Sequence, residues 1–180
     1  MLTITVPGVE SFDNETQQFV YSDGVELTME HSLASVSKWE SIWGKPFLGK
    51  DEKTAEEAFS YVKLMCLTPR VPEEVFYRLS QENYTAINNY IGEKMTATWF
   101  NETHQKPSTS SEVITSEIIY YWMFSLSLPL ECETWHLNRL TTLIKVMNLK
   151  NQPKKKMSQS EVLARQRELN AKRRAEMQNA

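Results

Sequence analysis

The sequence predicts a mainly α protein of the α+β class: a helical bundle of about five to six helices with a small N-terminal β hairpin and a basic C-terminal helical arm. The 180 residues include only five glycines, which leaves few tight turns for an all-β fold. Alternating apolar residues occur only before residue 32, and a helical period follows. We therefore divide the chain into a β element (1–31), a helical domain (32–149) and a basic arm (150–180).

The β element is predicted from two stretches. "LTITV" alternates apolar and polar residues, and "QFVYSDGVELTM" contains two short runs on either side of a Ser-Asp-Gly turn. We expect the runs that flank this turn to pair as a hairpin. Because an isolated hairpin is marginal in water, it should pack on the helices or pair with a strand of a second copy.

Helix boundaries in the first half are marked by capping residues. Ser32 is a suitable N-cap, and the helix that it opens should end near Gly44. Thr54 and Glu57 form a capping box at the start of a second helix. Pro72 opens a third helical segment, whose apolar period continues to Gly92.

The second half begins with residues 93–111, which have no periodicity and predict a long connection. Two helices are then expected at 111–127 and 130–149, separated at Pro129. The longest apolar stretch, "IIYYWMFSLSLPL", is shorter than the roughly 20 apolar residues that a membrane span needs. We interpret it as a helix buried in the core of the bundle.

The C-terminal arm is basic in a protein that is acidic overall. Residues 151–180 contain eight Lys or Arg and three Glu, whereas the whole chain has a net charge of −3. Ser158 and Glu161 form a further capping box, so a helix is predicted, but its apolar stripe is thin. The arm contains no aromatic residue that could stack on bases, which disfavours nucleic acid and favours a protein as its partner. The candidate partner-binding residues are Arg165, Arg167, Lys172, Arg173 and Arg174, with Trp99 and Phe100 as a second patch.

The sequence predicts no catalytic or metal site and no cofactor, so we expect a binding protein and not an enzyme. Glu133 and His136 form an E-x-x-H pair beside Cys132, but a di-iron bundle needs a second pair, which the sequence lacks. We interpret Cys132 as a core cysteine and His136 as a hydrogen-bonded histidine. There is no G-x-S-x-G motif and no glycine-rich phosphate loop. The two cysteines and the absence of a signal-like start favour the cytoplasm.

Five blocks, in order along nearly the whole chain, resemble a family of siphophage proteins associated with the tail assembly chaperones. They are "EHSLASVSKWESIWGKPFL" (30–48), "MTATWF" (95–100), "ITSEIIYYWM" (114–123), "WHLNRLTTLI" (135–144) and "KNQPKKKMSQSEVLARQRELNAKRR" (150–174).

The resemblance implies a transient factor in the host bacterial cytoplasm that keeps the tape-measure protein soluble during tail morphogenesis. Its partners would be the tape-measure protein, with the major tail protein and a second copy of the chain as further candidates. Two alternatives remain open at the level of sequence. One is a structural virion protein, such as a minor tail or head-tail joining component, and the other is a small nucleic-acid-binding regulator that uses the basic arm.

Overall fold

The computed structural model describes residues 1–15, 17–100 and 113–151, together with residues 163, 164, 166, 167, 169, 170 and 174. The chain divides into two units, Met1–Met147 and Asn148–Ala180. The fold is mixed α+β and predominantly helical. The strands are β1 (Leu2–Val6), β2 (Val9–Asp13), β3 (Gln18–Ser22) and β4 (Val25–Met29). The helices are α1 (Leu33–Trp43), α2 (Ala55–Met65), α3 (Glu73–Tyr77), α4 (Gln81–Gly92), α5 (Ser116–Ser125) and α6 (Leu137–Asn151), with a 3-10 helix (Leu130–Thr134) before α6.

The N-terminal strands form two antiparallel pairs, β1 with β4 and β2 with β3. A small N-terminal hairpin is therefore present, but its predicted pairing is wrong. The two strands that flank the Ser-Asp-Gly turn do not pair with each other, and the hairpin turn lies instead between Asp13 and Gln18. Strand β4 pairs instead with β1, which buries Val6 and Leu27. Gly8 permits a close approach beside this pair, since a Cβ there would lie 2.2 Å from the carbonyl oxygen of Ser22. The four strands therefore follow one long antiparallel hairpin, in which residues 7–8 and 23–24 separate the β1–β4 pair from the β2–β3 pair.

The two strand pairs differ in burial. The pair β1–β4 contributes Ile4, Val6, Leu27 and Met29 to the core, whereas the described side chains of the β2–β3 ribbon are exposed. This alternation on β1 and β4 is the pattern of a sheet with one covered face. The largest fully buried apolar side chains of the helices are Leu33, Trp39, Met65, Ile87, Ile119, Met123, Leu137 and Leu140.

The predicted ends of α1 and the predicted start of α2 are confirmed. The Ser32 side chain accepts a hydrogen bond from the Ser35 N–H, and Thr54 and Glu57 form the capping box at the start of α2. At the end of α1, Gly44 has φ 61° and ψ 25°, the left-handed conformation in which glycine carries no Cβ penalty.

We expect Gly44→Ala to lower the free energy of unfolding by about 1 kcal/mol, because alanine is strained at this positive φ. Gly92 is the matched control, since it also lies at the end of a helix but has no positive φ and no atom within 4 Å of a built Cβ. Urea unfolding should therefore show Gly92→Ala to be neutral or slightly stabilising. Equal losses in the two variants would contradict the explanation.

The last predicted helix begins later than expected. Residues 130–134 form a 3-10 helix after Pro129, Trp135 is extended, and α6 starts only at Leu137. His136 forms an antiparallel bridge with Ser32, and the Leu137 N–H donates to the carbonyl oxygen of His31 at 2.7 Å. This pairing with the segment after β4 holds residues 135–136 in an extended conformation, which local periodicity does not encode.

Helix α5 is also shorter than predicted and is not buried all round. Ile119 and Met123 lie in the core, but Tyr121 and Phe124 are 68% and 65% exposed. The expectation of a helix enclosed by the bundle is therefore wrong for its outer face. Among the described residues, no helix combines the length and apolar character needed to span a membrane.

Candidate partner-binding surfaces

Trp99 and Phe100 lie in a groove formed by the coil after α4 and the first turns of α6. We call it the Trp99 groove; its volume is about 510 Å³. Its lining residues are Lys94, Thr96, Thr98, Trp99, Phe100, Asn138, Thr141 and Thr142. The structure thus brings the two predicted aromatic residues together in one concave surface.

Asn138 on α6 fixes the coil that leaves α4. Its Nδ2 donates hydrogen bonds to the carbonyl oxygens of Ile91, at 3.1 Å, and Glu93, at 2.7 Å. These carbonyls come from the last turn and C-cap of α4 and lack a continuing helix to bond them. The Asn138 amide therefore ties the end of α4 to the start of α6 beside the groove.

Two lysines lie over the aromatic rings of the groove. The Nζ of Lys94 is 4.8 Å from the centroid of the Trp99 ring, and the Nζ of Lys145 is 4.4 Å from that of Phe100. The Trp99 side chain is nevertheless 84% exposed. The groove therefore presents apolar surface and positive charge together, which suits a partner with aromatic and acidic residues.

The hydroxyl groups on the α6 wall are already hydrogen-bonded within the helix. Thr141 and Thr142 both donate to the carbonyl oxygen of Asn138, at 3.2 and 2.7 Å. These two side chains accordingly add apolar surface without presenting free hydroxyl donors. The recognition chemistry of the groove thus comes mainly from its rings and ammonium groups.

Two of the predicted arm residues, Arg167 and Arg174, are described, and both are helical and exposed. Arg165, Lys172 and Arg173 lie outside the described residues, as does the capping box at Ser158 and Glu161. The role of the arm in partner binding stays a prediction.

A second exposed apolar surface was missed by the sequence analysis. Glu117, Tyr121 and Phe124 follow one another at helical spacing and are all exposed, whereas Ser116, Ile119 and Met123 on the opposite side are buried. We call this surface the α5 outer face. This face could have been predicted from the sequence, because the polar residues Glu117 and Ser125 lie four residues before and after Tyr121 and mark a solvent-facing stripe.

The orientation of α5 depends on the buried side chain of Glu40 on α1. One carboxylate oxygen accepts a hydrogen bond from the Phe47 N–H and the other from the Ser116 N–H, both at 2.7 Å. Ser116 opens α5, so Glu40 satisfies an N–H group that has no partner within that helix. A single carboxylate thereby joins α1, the segment that follows it and the start of α5.

A buried polar cluster lies where β4 leads into α1. His31 Nδ1 is 2.5 Å from the Tyr61 hydroxyl oxygen, and the His31 and His136 rings are 5.1 Å apart. Burial lowers the pKa of His31 to about 4, and the neighbouring His136 acts in the same direction. The Tyr90 hydroxyl donates to Glu30 at 2.7 Å; burial and this hydrogen bond raise the Tyr90 pKa.

The E-x-x-H residues do not converge on a shared site. Cys132 is buried, His136 Nε2 lies 3.0 Å from the carbonyl oxygen of Tyr90, and Glu133 accepts a hydrogen bond from the Tyr120 hydroxyl. In the part of the chain that the structure describes, no three His, Cys, Asp or Glu side chains are placed to hold a metal ion.

Comparisons with protein-family models, with curated proteins and with solved structures find no match for this chain.

Proposed function

We propose that this chain is a siphophage tail assembly chaperone that binds the tape-measure protein in the host cytoplasm and keeps it soluble during tail morphogenesis. It acts as a binding protein and not as an enzyme. The observation that carries the proposal is the α5 outer face, where Tyr121 and Phe124 remain largely exposed on a folded helix. The resemblance of the sequence blocks supplies the identity of the client.

Exposed aromatic side chains on a rigid helix are suited to binding an apolar partner. Tyrosine and phenylalanine bury a large area at little conformational cost, and a few such residues often dominate the energy of an interface. The residues that carry these rings are held in place, because Ile119 and Met123 anchor the same helix in the core. A tape-measure helix with an apolar stripe could pack along this face in the manner of other helix-binding proteins.

The contact must also be reversible, because a chaperone leaves its client when the tail tube assembles. A small aromatic face gives a limited buried area, and interfaces of limited area tend to be transient. We propose that the basic arm adds a second, electrostatic contact through Arg165, Arg167, Lys172, Arg173 and Arg174. Such a contact is weakened by salt, which also favours dissociation.

The test is co-expression with the tape-measure protein of the same phage, comparing the wild-type chain with the double variant Tyr121→Ser, Phe124→Ser. We expect the double variant to reduce soluble, co-purifying client about tenfold or more, because two interface anchors are lost. Leu67→Ser is the matched control, since Leu67 is also exposed and apolar but lies on the segment after α2. It should leave client solubility unchanged.

The possible outcomes separate the competing functions. If the double variant gives less soluble, co-purifying client while circular dichroism shows an intact fold, the α5 outer face is supported as the binding surface. Failure of the wild-type chain to solubilise or co-purify the client would remove the chaperone proposal. Detection of the chain in purified virions by mass spectrometry would then point to a structural component, and salt-dependent binding to duplex DNA would point to a regulator.

A further inference from the structure

The β2–β3 ribbon exposes aromatic residues on one face. Phe12 and Phe19 are directly opposite each other, with ring centroids 5.1 Å apart, and the Glu10–Tyr21 pair lies two residues further along the same ladder. Because side chains alternate with a period of two, both pairs lie on the same face of the ribbon. Tyr21 is 71% exposed, and both phenylalanines are at least half exposed. This face combines three aromatic rings with the carboxylate of Glu10.

The ribbon is also acidic throughout. Residues 7–24 contain Glu10, Asp13, Glu15 and Asp23 and no Lys, Arg or His. Two such ribbons would therefore repel each other, which disfavours edge-to-edge pairing between copies of the ribbon. A complementary surface should instead be apolar and positively charged.

The Trp99 groove has this complementary chemistry. It presents the exposed ring of Trp99 and the partly buried ring of Phe100, with the ammonium groups of Lys94 and Lys145 over them. An aromatic and acidic ribbon can bury its rings against those of the groove and place its carboxylates near the two lysines.

The ribbon does not occupy the groove of its own chain. None of its described residues lines that groove. Its base is fastened elsewhere, since Arg78 Nη1 donates to the Ser22 hydroxyl at 2.8 Å and to the carbonyl oxygen of Pro7 at 3.3 Å. The occupant that fits is therefore the ribbon of another copy.

We propose that the β2–β3 ribbon of one copy docks in the Trp99 groove of a second copy, in a head-to-tail contact. Because the ribbon and the groove are different surfaces, an open assembly has one unused ribbon at one end and one unused groove at the other. Contacts of this type extend into open chains or close into rings. The inference is independent of the proposed function, since the α5 outer face takes no part in it.

The experiment measures self-association of the full chain by sedimentation velocity at increasing protein concentration. The ribbon variant is Phe12→Ser with Phe19→Ser, and the groove variant is Lys94→Glu with Trp99→Ser. We expect the wild-type chain to form species larger than a dimer as concentration rises. Each variant alone should associate at least about tenfold more weakly, because it lacks one of the two complementary surfaces.

Mixing the two variants gives the sharpest readout. The ribbon variant keeps an intact groove and the groove variant keeps an intact ribbon, so the mixture should form a dimer of one copy of each and nothing larger. The variant Leu67→Ser serves as the control, since Leu67 is exposed and belongs to neither surface, and it should assemble as the wild type does. Circular dichroism of each variant checks that its fold is intact.

Three results would overturn the proposal. The first is a wild-type chain that stays monomeric at every concentration, which would indicate that the ribbon binds a different protein. The second is a groove variant that assembles normally while the ribbon variant does not, which would indicate ribbon-to-ribbon pairing. The third is a mixture of two folded variants that remains monomeric.

Discussion

Replacing Glu40 by alanine is expected to lower the free energy of unfolding by about 3–5 kcal/mol. The Glu40 side chain is buried, and its two oxygens accept hydrogen bonds from the N–H groups of Phe47 and Ser116. Alanine would leave both N–H groups buried without an acceptor and would open a cavity between α1 and α5. For a chain of this size the melting temperature should fall by roughly 2–4 °C per kcal/mol.

Glu40→Gln distinguishes the hydrogen bonds from the cavity. Glutamine fills the same volume but has only one acceptor oxygen. The Glu40→Gln variant should therefore lose about half as much stability as Glu40→Ala. Glu52→Ala is the exposed control and should change the free energy of unfolding by less than about 0.5 kcal/mol. Denaturant unfolding of the three variants measures the differences. A Glu40→Ala loss no larger than that of Glu52→Ala would show that the two hydrogen bonds contribute nothing.

Acidification from pH 7.5 to pH 5 is expected to remove about 2 kcal/mol of stability through His31 alone. The pKa of His31 is about 4 in the folded chain, against 6.5 for an unperturbed histidine. Between these two values the unfolded chain binds a proton that the folded chain does not. The part of the unfolding free energy that depends on neutral His31 is therefore fully present above pH 6.5 and is lost progressively as the pH falls towards 4.

The measurement is the free energy of unfolding at several pH values for the wild type and for His31→Asn. The side-chain oxygen of the introduced asparagine is expected to replace Nδ1 as a hydrogen-bond partner of the Tyr61 hydroxyl, but asparagine does not titrate. The variant is less stable at pH 7.5 because it loses packing against Tyr61 and Phe47. The informative quantity is the slope between pH 7.5 and 5, which should be flatter in the variant. Parallel slopes would rule out His31 as the origin of the pH dependence.

Local signals in the sequence predicted the fold where local chemistry decides it. Ser32, Thr54 and Gly44 act on the backbone within a few residues, so their roles could be inferred without knowledge of the rest of the chain. The predominance of helix also followed from periodicity. These features required no information about which elements meet in space.

The errors arose where distant residues decide the outcome. The strands that flank Ser22, Asp23 and Gly24 have suitable hairpin chemistry, yet β4 pairs with β1 because that pairing buries Val6 and Leu27. The apolar composition of α5 likewise indicated burial without indicating which face would be covered. Of the candidate site, Trp99 and Phe100 were predicted as a patch, but the lysines that accompany them come from α6 and from the coil that follows α4.

The bridge between Ser32 and His136 has a consequence for the order of folding during synthesis. The segment that links β4 to α1 completes its hydrogen bonds only with residues 136 and 137, about a hundred positions later in the chain. On the ribosome, the segment at His31 and Ser32 therefore lacks these hydrogen-bond partners until residues 136 and 137 emerge. We conclude that the Met1–Met147 unit completes its fold late in translation.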